Sequence, residues 1–526
     1  MILAVTAIFI LLSAYWFGFK EGFFSGLIHL ICVVAAGAIA LAFWEPLAYA
    51  MLDVSALREW AFGGSLLLLF CGLLFGLRFA ANVLIPNRLN VPNGVDVVGG
   101  GLTGLFSGVL TIGIGLVGMG FLPIGNVGHG FIRSQAAFGQ PEKASSNFPS
   151  GQPAVEATVG FYAALSRGAF SPMTSSRNLA TAHPTLASHA WGLHRDTSNK
   201  GRIELTNAPG DLDLGTPYYG TFPQIGKGDY YVVPVTARRN AFHRGSNFVL
   251  SASQAYLVGD SNAPRTVFPA GWAEGGRNYR FDDVSAYATN VPGEQSVSVL
   301  LAYPASPLNG QAPKYLMFKG VRFPLPAAST ELADLGTQDR AEVAYDRSAP
   351  LVPETYARKG RKIGPVLNKN SLGGDIQTVG NEISFAESAE LPQRTKGAVN
   401  KTLRVERLYQ LKGTSLILLD VSRGKSPIDI WADAREAAGG QDVSIRLLDD
   451  SGNVYVPIGW IWNQSSQKKI NLTFDPRSGV DAVSEIPNLS ASGKDGLDLI
   501  FQVPEGRKLV AVLLGDTTVC RLDLSS

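Results

Sequence analysis

The sequence predicts an α-helical membrane domain of four transmembrane helices, followed by a mostly β soluble region with two immunoglobulin-like β-sandwich repeats. Charge is divided unevenly, because only four of the 45 basic and five of the 43 acidic residues lie in residues 1–125. After residue 201, short runs rich in β-branched and aromatic residues alternate with Gly, Pro, Asn and Asp, which is typical of strands and turns. These runs recur at an offset of about 187 residues, which indicates an internal repeat.

Four apolar segments account for the membrane prediction. They occupy residues 2–17, 22–43, 61–79 and 97–122. A helix needs about 20 apolar residues to cross the hydrocarbon layer, so the second and fourth segments qualify and the other two are near the lower limit.

Two other interpretations of these segments, a signal peptide and soluble core helices, fit the sequence less well. A cleaved signal peptide at residues 2–17 would have a basic residue before the apolar run and a small-x-small site after it, and neither is present. Core helices of a soluble protein would show a polar face at helical period. Residues 27–43 contain only one polar side chain of any size, His29.

The orientation follows from the basic residues of the short loops. Lys20 and Arg88 lie in the first and third loops, and Arg78 is close enough to the third loop to reach that side. The second loop holds only Arg58. This majority predicts that the first and third loops are cytoplasmic, and that everything after Leu122 is periplasmic or extracellular.

Two motifs carry a resemblance to a known family. Residues 18–22 read Gly-Phe-Lys-Glu-Gly, and Asp96 is followed by glycines at 100, 104 and 108. Over about residues 1–125 the chain resembles the colicin V production protein (CvpA) family of small four-helix bacterial membrane proteins. The resemblance implies a part in colicin V production or toxin biosynthesis, an integral inner-membrane location and a part in envelope maintenance. Phe17 and Ser107 stand where that family usually has Arg.

The glycine ladder of Gly100, Gly104 and Gly108 predicts close helix packing. Glycines four residues apart share one helix face, and small residues let helices approach closely in lipid. A substrate path would instead need polar or ionisable groups at mid-membrane depth. His29 is the one candidate for such a proton-relay role, and an interfacial or hydrogen-bonded histidine is the alternative.

The soluble region divides by composition. The predicted segments are a linker at 126–153, a short helical segment at 154–200, β-sandwich 1 at 201–330, a linker with leading strands at 331–401 and β-sandwich 2 at 402–526. Cys520 is the only cysteine in this region, so no disulfide within it is expected and core burial must stabilise it.

Three pairs of segments define the repeat, in the same order in both copies. They are 231–236 with 417–422, 256–272 with 446–460, and 299–320 with 499–515. Both copies contain a Pro-x-Gly-Trp corner, which aligns Trp272 with Trp460. Aromatic residues at equivalent positions of two copies are predicted to be core or corner residues rather than ligand-stacking ones.

The sequence contains candidates for a protease triad and for a metal site, and neither set fits its motif. His183 and Ser261 stand in the order of a trypsin-like protease, but His183 follows a helical stretch and Asn262 stands where that motif has Gly. The separations of His183, His189 and His194 do not fit the i, i+4 placement of a helical zinc pair. The sequence therefore predicts no catalytic, cofactor-binding or metal-binding residues and no cofactor, and no basic patch suggests nucleic acid as a partner.

The predicted function is that of a non-enzymatic envelope protein. It would be anchored in the lipid bilayer and would display its β modules outside the cytoplasm for contact with envelope proteins, peptidoglycan or a small ligand. A membrane-anchored, serine protease-like hydrolase and a transporter or channel component are the alternatives. The ligand and the oligomeric state stay open.

Overall fold

The computed structural model describes most of the chain. The described residues are 2–54, 56–85, 92–123, 152–168, 178–193, 206–223, 225–242, 248–274, 277–281, 287–290, 295–331, 345–369, 372, 377–392, 404–410, 414–431, 443–450, 452–465, 467–475, 479–480, 482–489 and 494–526. The expected linker at 126–153 lies outside them except for its last two residues, and Arg88 and His194 also lie outside.

The chain begins with four long apolar helices. They are α1 (Ile2–Trp16), α2 (Gly22–Leu52), α3 (Ala61–Leu84) and α4 (Asn93–Phe121). Three shorter helices lie among the described residues between α4 and the β region: α5 (Pro153–Arg167), α6 (Leu179–Ala182) and α7 (Leu186–Gly192).

Contacts between helices give the directions of α1, α2 and α4. Gly104 and Gly108 of α4 lie against Ser13 of α1, and Gly100 lies against Phe17, so α1 runs antiparallel to α4. The contacts of α2 run the other way along α4, because the position of Gly26 meets Thr103 and that of Gly37 meets Ile114. Helix α2 is therefore parallel to α4.

Helix α3 runs antiparallel to α2 and α4. Near its start Gly63 lies against Gly118 of α4 and against Leu122 directly after α4, and near its end Arg78 donates to Ser25 at the start of α2. Consecutive long helices thus alternate in direction. The ends of α2 and α4 and the start of α3 meet at one end of the bundle, and the β region packs there.

Three segments among the described residues are long and apolar enough to cross a membrane, where four were expected. They are Leu3–Leu52, Arg58–Leu84 and Asn93–Phe121. The first has 50 residues and contains both α1 and α2, because the connection Phe17–Glu21 stays helical as a π-helical turn. Helix α1 alone has 15 residues, which is about 22 Å at 1.5 Å per residue.

The first β unit follows α7, and the described residues of this unit contain twelve strands. They are β1 (Leu212–Leu214), β2 (Tyr218–Thr221), β3 (Asp229–Arg238), β4 (Val249–Leu250), β5 (Ala255–Gly259), β6 (Thr266–Val267), β7 (Gly271–Glu274), β8 (Arg277–Arg280), β9 (Ala288–Thr289), β10 (Ser296–Pro304), β11 (Pro313–Phe318) and β12 (Val321–Pro324). One sheet has the order β1-β3-β10-β7-β8 with β2 on β3, and the other has the order β12-β11-β5-β6. Strands β4 and β9 form a separate pair.

The second β unit contains the remaining described strands. They are β13 (Ala357–Lys359), β14 (Lys362–Asn368), β15 (Gln377–Val379), β16 (Glu382–Pro392), β17 (Arg404–Leu408), β18 (Thr414–Asp420), β19 (Ile445–Asp449), β20 (Val454–Tyr455), β21 (Pro457–Gln464), β22 (Lys469–Phe474), β23 (Gly496–Pro504), β24 (Lys508–Leu514) and β25 (Thr517–Ser525). Its larger sheet has the order β13-β18-β23-β21-β22-β16-β17-β14, and its smaller sheet has the order β20-β19-β24-β25.

The two units share one strand order. In the larger sheets β1-β3-β10-β7-β8 corresponds to β13-β18-β23-β21-β22, and in the smaller sheets β12-β11-β5-β6 corresponds to β25-β24-β19-β20. Register agrees as well. Trp272 and Val233 both pair with Leu301, and Trp460 and Leu419 both pair with Leu499. The second unit adds β14 to β17 at one side of its larger sheet.

One continuous hydrophobic core joins the helices to the first β unit. Trp44, Phe62 and Phe121 of the long helices belong to the same buried cluster as Trp191 of α7 and Phe318 of β11. The turn between β11 and β12 reaches α3 directly, because the position of Gly320 lies against the ring of Phe62. The second unit has separate cores of its own. The first β unit is therefore packed directly on the helix bundle and shares its hydrophobic core.

Candidate functional site

A buried polar cluster lies where the first β unit meets the helices, and we call it the junction cluster. Its members are Glu45 and Tyr49 of α2, His183 directly after α6, His189 of α7 and Arg322 of β12. Glu45 comes two residues after Phe43, the last residue of the predicted apolar segment. The cluster thus marks the boundary between the membrane part of α2 and the part that the β unit covers.

Local sequence positions the two ends of this cluster. Glu45 and Tyr49 are four residues apart and share one face of α2. The side chain of Asn178 accepts a hydrogen bond of 2.9 Å from the amide of Thr181, which caps the short helix before His183. The hydroxyl of Tyr315 on β11 donates to the carbonyl of Thr181, so the first β unit holds this helix in place.

The carboxylate of Glu45 has three partners. It is paired with the Arg322 guanidinium, it lies 3.3 Å from Nε2 of His183, and it accepts a 2.9 Å hydrogen bond from the hydroxyl of Tyr49. The same hydroxyl accepts from the backbone amide of Arg322 at 3.0 Å. Because these groups are largely buried, removing one member of the charge pair would leave an unpaired buried charge. The cluster ties α2 to β12.

His189 extends the cluster into an aromatic pocket. Its ring contacts Phe121 and Tyr256 edge-on and stacks over His183, with ring centroids 6.4 Å apart. Complete burial, and next the neighbouring His183, lower the pKa of His189 to about 3. His189 is therefore neutral near pH 7. Within the described part of the chain, neither its Nδ1 nor that of His183 has a hydrogen-bond partner.

A second ionic contact lies beside the junction cluster. Arg58, between α2 and α3, pairs with Asp211 at 3.2 Å and donates to the carbonyl of Asn240 at 3.2 Å. Asp211 also accepts from the amide of Ala208, which fixes its rotamer. Arg58 is the basic residue of the second loop, and its charge is thus used to hold the first β unit.

The opposite end of the bundle carries another polar group, which we call the distal cluster. Arg78 donates to the hydroxyl of Ser25 at 2.6 Å, and that hydroxyl donates to Glu21 at 3.1 Å. The ring of His29 stacks on Phe17 with centroids 4.8 Å apart. Arg78 and His29 lie inside apolar helices, where ionisable groups are uncommon.

The two family-like motifs touch each other at this end. The Asp96 carboxylate accepts a 2.7 Å hydrogen bond from the amide of Phe23, at the start of α2. Gly22 has φ 81° and lies so close to Asp96 that a Cβ there would stand 2.6 Å from the carboxylate. Gly18 packs in the same way against Val97 and Gly101. The helical turn and the start of α4 thus form one structural unit.

Residues 3–138 match the family model of the colicin V production protein. The N-terminal segment of the chain is therefore a colicin V production family domain, as its motifs predicted. The match ends before α5 and leaves the β region outside. No curated protein and no solved structure matches the chain.

In this colicin V production family domain, the three glycines of the ladder lie in close contact with α1 and the π-helical turn after it. A Cβ at Gly100 would stand 2.4 Å from the carbonyl oxygen of Phe17, and one at Gly104 would stand 2.6 Å from that of Ser13. At Gly108 the nearest atom, the Cβ of Ser13, is 3.1 Å away. These distances leave no room for a side chain at the first two positions, which agrees with the packing interpretation of the ladder.

The structure does not bring the protease candidates together. His183 is buried against Glu45 and Trp44. Ser261 lies in the turn between β5 and β6, where its hydroxyl accepts from the amide of Ala263 at 3.2 Å. Among the described residues no three His, Cys, Asp or Glu side chains are grouped as metal ligands. His194, the third histidine weighed for a metal site, lies outside the description.

The two tryptophans of the repeat lie against the cores of their units. Trp272 is buried and contacts the rings of Tyr279 and Phe281, with centroids 4.9 and 4.5 Å away. Trp460 is half-buried and packs against the larger core of the second unit.

A third buried ionic group joins the two β units. The Arg507 guanidinium lies over the ring of Tyr279 at 4.8 Å and 3.7 Å from the carboxylate of Asp449. The hydroxyl of Tyr455 donates to the same carboxylate at 2.8 Å. The first unit thus contacts the second through a cation–π pair.

Sequence reasoning did not find the junction cluster. Its signal was an acidic residue close to the end of an apolar run, since Glu45 lies two residues after the second segment and has no neighbouring basic residue. Arg322 could not be assigned as its partner, because 277 residues separate them.

Proposed function

We propose that this chain is a non-enzymatic scaffold of the bacterial envelope that holds two immunoglobulin-like β units at a fixed position outside the cytoplasm. The observation that carries the proposal is the junction, where one hydrophobic core runs from α2, α3 and α4 into the first β unit and the Glu45–Arg322 pair lies buried within it. A unit joined in this way has a fixed orientation relative to the bilayer. Envelope proteins or peptidoglycan are the proposed partners of its outer surfaces.

The positions of basic residues support an outward β region. Lys20 and Arg78 lie at the end of the bundle away from the β units, and Arg88 belongs to the loop at that same end by sequence. Arg58 lies at the β end and is paired with Asp211. By the positive-inside rule the distal end is cytoplasmic. The alternating helix directions support four passes, with α1 and α2 as separate spans.

The strand order supports the immunoglobulin-like assignment. Such sandwiches have four strands in the order ABED on one sheet and CFG strands on the other. The first unit fits this order when β1, β3, β10 and β7 are A, B, E and D and when β12, β11 and β5 are G, F and C. The second unit fits it with the corresponding strands.

Reporter fusions test the outward orientation. Alkaline phosphatase fused after Ser526 should be active in a bacterial host, and green fluorescent protein at the same position should be dark. The matched control is a fusion after Arg88, in the third loop, where the two reporters should behave in the opposite way. An inactive phosphatase together with a fluorescent protein after Ser526 would contradict the proposal.

A hydrolysis assay tests the non-enzymatic part. The full-length chain in detergent is the appropriate sample, because the first β unit shares its core with the helices. Casein and ester substrates should be hydrolysed no faster by this chain than by its His183→Ala variant. A serine-reactive or chelator-sensitive activity that depends on His183 would favour the anchored hydrolase instead.

A transporter or channel component is the second candidate. It is favoured by the ionisable groups within the apolar helices, Arg78 and His29 of the distal cluster. Proton and ion flux in vesicles that contain the full-length chain distinguishes the two. The scaffold proposal expects flux equal to that of empty vesicles, whereas flux abolished by His29→Leu would support transport.

A further inference from the structure

Helix α5 lies in an unusual place, because it contacts the middle of two membrane helices. The hydroxyl of Thr158 donates to the carbonyl of Val109 in α4 at 3.1 Å, and the hydroxyl of Tyr162 donates to the carbonyl of Val33 in α2 at 3.0 Å. With 15 residues and a charge near each end, α5 itself is not among the three segments that can cross the membrane.

The surface of the bundle is shaped to receive these two side chains. A Cβ at Gly113 would stand 2.1 Å from Oγ1 of Thr158, and a Cβ at Gly37 would stand 2.1 Å from the hydroxyl oxygen of Tyr162. Both polar groups thus enter notches that glycine leaves open. In lipid, where water cannot solvate a hydroxyl, donation to a backbone carbonyl satisfies each of them.

The contacts also show the depth at which α5 meets the helix bundle. Gly37 and Ile114 lie side by side, so Gly113 of α4 and Gly37 of α2 are at nearly the same depth. Thr158 reaches one of them and Tyr162 the other. Helix α5 therefore contacts α2 and α4 at one depth of the bundle.

The position of Gly37 in α2 gives the depth at which α5 contacts the bundle. Gly37 lies six residues before Phe43, where the apolar segment ends, and six helical residues correspond to about 9 Å. Interfacial amphipathic helices bury their apolar faces about 5–10 Å into the boundary between headgroups and acyl chains. The position of α5 falls within that range.

The face of α5 that points away from the bundle has no protein cover among the described residues. Its exposed residues are Glu156 and Arg167 near the two ends and, between them, Ala157, Gly160, Phe161 and Ala164. The middle of this face is apolar, and Ile39 and Phe43 of α2, two and six residues after Gly37, are exposed as well. Long charged side chains at the ends of such a helix can reach the headgroups.

We propose that α5 is a fifth membrane helix that does not span: it packs on α2 and α4 in the leaflet nearer the β region, and its outer face contacts lipid acyl chains. The helix begins beyond the colicin V production family match and leads through α6 to His183 of the junction cluster. It thereby links the bilayer surface to the site that holds the first β unit.

Spin-label accessibility in vesicles tests this proposal. Cys71, the exposed cysteine, is replaced by Ala, and single cysteines are placed at Phe161 or Ala164 of the full-length chain, which is reconstituted in phosphatidylethanolamine and phosphatidylglycerol. Both labels should be accessible to oxygen and protected from a water-soluble nickel complex. Phe75 of α3 is the lipid-facing control, and Asn262 in the β5–β6 turn is the water-facing control.

Two results would overturn the proposal. Nickel accessibility at Phe161 and Ala164 equal to that at Asn262 would place α5 in water. Protection from both reagents would mean that another protein surface, such as a second copy of the chain, covers this face. If the cysteine variants do not fold, Phe161→Trp in brominated lipids tests the same contact. Bromine on the acyl chains should quench the fluorescence of the added tryptophan, and no quenching would contradict the proposal.

Discussion

At the scale of single residues, Glu45 has the most consequential surroundings in the described chain. Its carboxylate is removed from water and depends on Arg322 for charge compensation, with Tyr49 and His183 as further partners. Removing one member of a buried charge pair costs about 3–5 kcal/mol, whereas exposed pairs contribute about 0–1 kcal/mol. This contrast allows a matched pair of substitutions.

Arg322→Met should lower the thermal stability of the purified chain in detergent strongly, by the few kcal/mol expected for an unpaired buried carboxylate. Arg238→Met is the control, because the Arg238–Asp213 pair has both side chains more than half exposed. That variant should unfold close to the wild-type temperature. Equal losses of thermal stability in the two variants would show that the buried Glu45–Arg322 pair stabilises the chain no more than the exposed pair does.

His189 makes a pH-dependent prediction. Its pKa is lowered to about 3 in the folded chain by burial, and an exposed histidine has a pKa of about 6.5. Below that value the unfolded state binds a proton that the folded state does not, so stability falls as the pH drops from about 6.5 toward 3, by up to about 1.4 kcal/mol per pH unit.

The difference between wild type and His189→Leu isolates this contribution from that of other titrating groups. Unfolding midpoints measured between pH 8 and pH 4 should fall more steeply for the wild type than for the variant. Parallel curves would mean that the His189 ring is protonated or solvated in the folded chain.

At the scale of elements, helix α4 depends on the packing of its glycine ladder. Gly104→Ile should reduce the amount of folded protein in the membrane, because even a Cβ at this position would stand 2.6 Å from the backbone oxygen of Ser13. Leu105→Ile, at the partly exposed neighbouring position, should be tolerated. Folded protein is measured by fluorescence-detected size exclusion, and equal yields would contradict the packing of α1 on α4.

The limits of the helices show what composition can and cannot predict. Apolar runs located all four long helices, but the run in α2 ended at Phe43 whereas the helix continues to Leu52. One face of the additional part packs against the first β unit, where Glu45 and Tyr49 contact Arg322, and composition does not contain these tertiary contacts. Phe17–Glu21 was expected as a loop and is a π-helical turn, which merges α1 and α2 into one long apolar segment.

At the scale of the whole molecule, the three matched pairs of segments predict two corresponding β units, and the two units share one strand order. The sequence comparison aligned Val299 with Leu499, whereas pairing with the tryptophan strands aligns Leu301 with Leu499. A shift of two residues keeps each side chain on the same face of its strand, so the hydrophobic pattern cannot reveal it. The junction between Glu45 and Arg322 was also hidden, because it exists only once the first β unit has docked.

The fixed position of the first β unit on the bundle is the central claim of this account. It is tested by the distance distribution between spin labels at Phe75 of α3 and Thr221 of β2, both exposed positions, measured by pulsed electron resonance in vesicles. A pair at Phe75 and Leu105, within the bundle, supplies the reference width. The account predicts one narrow distribution, close in width to the reference. A broad distribution, as expected for a unit on a flexible tether, would contradict it.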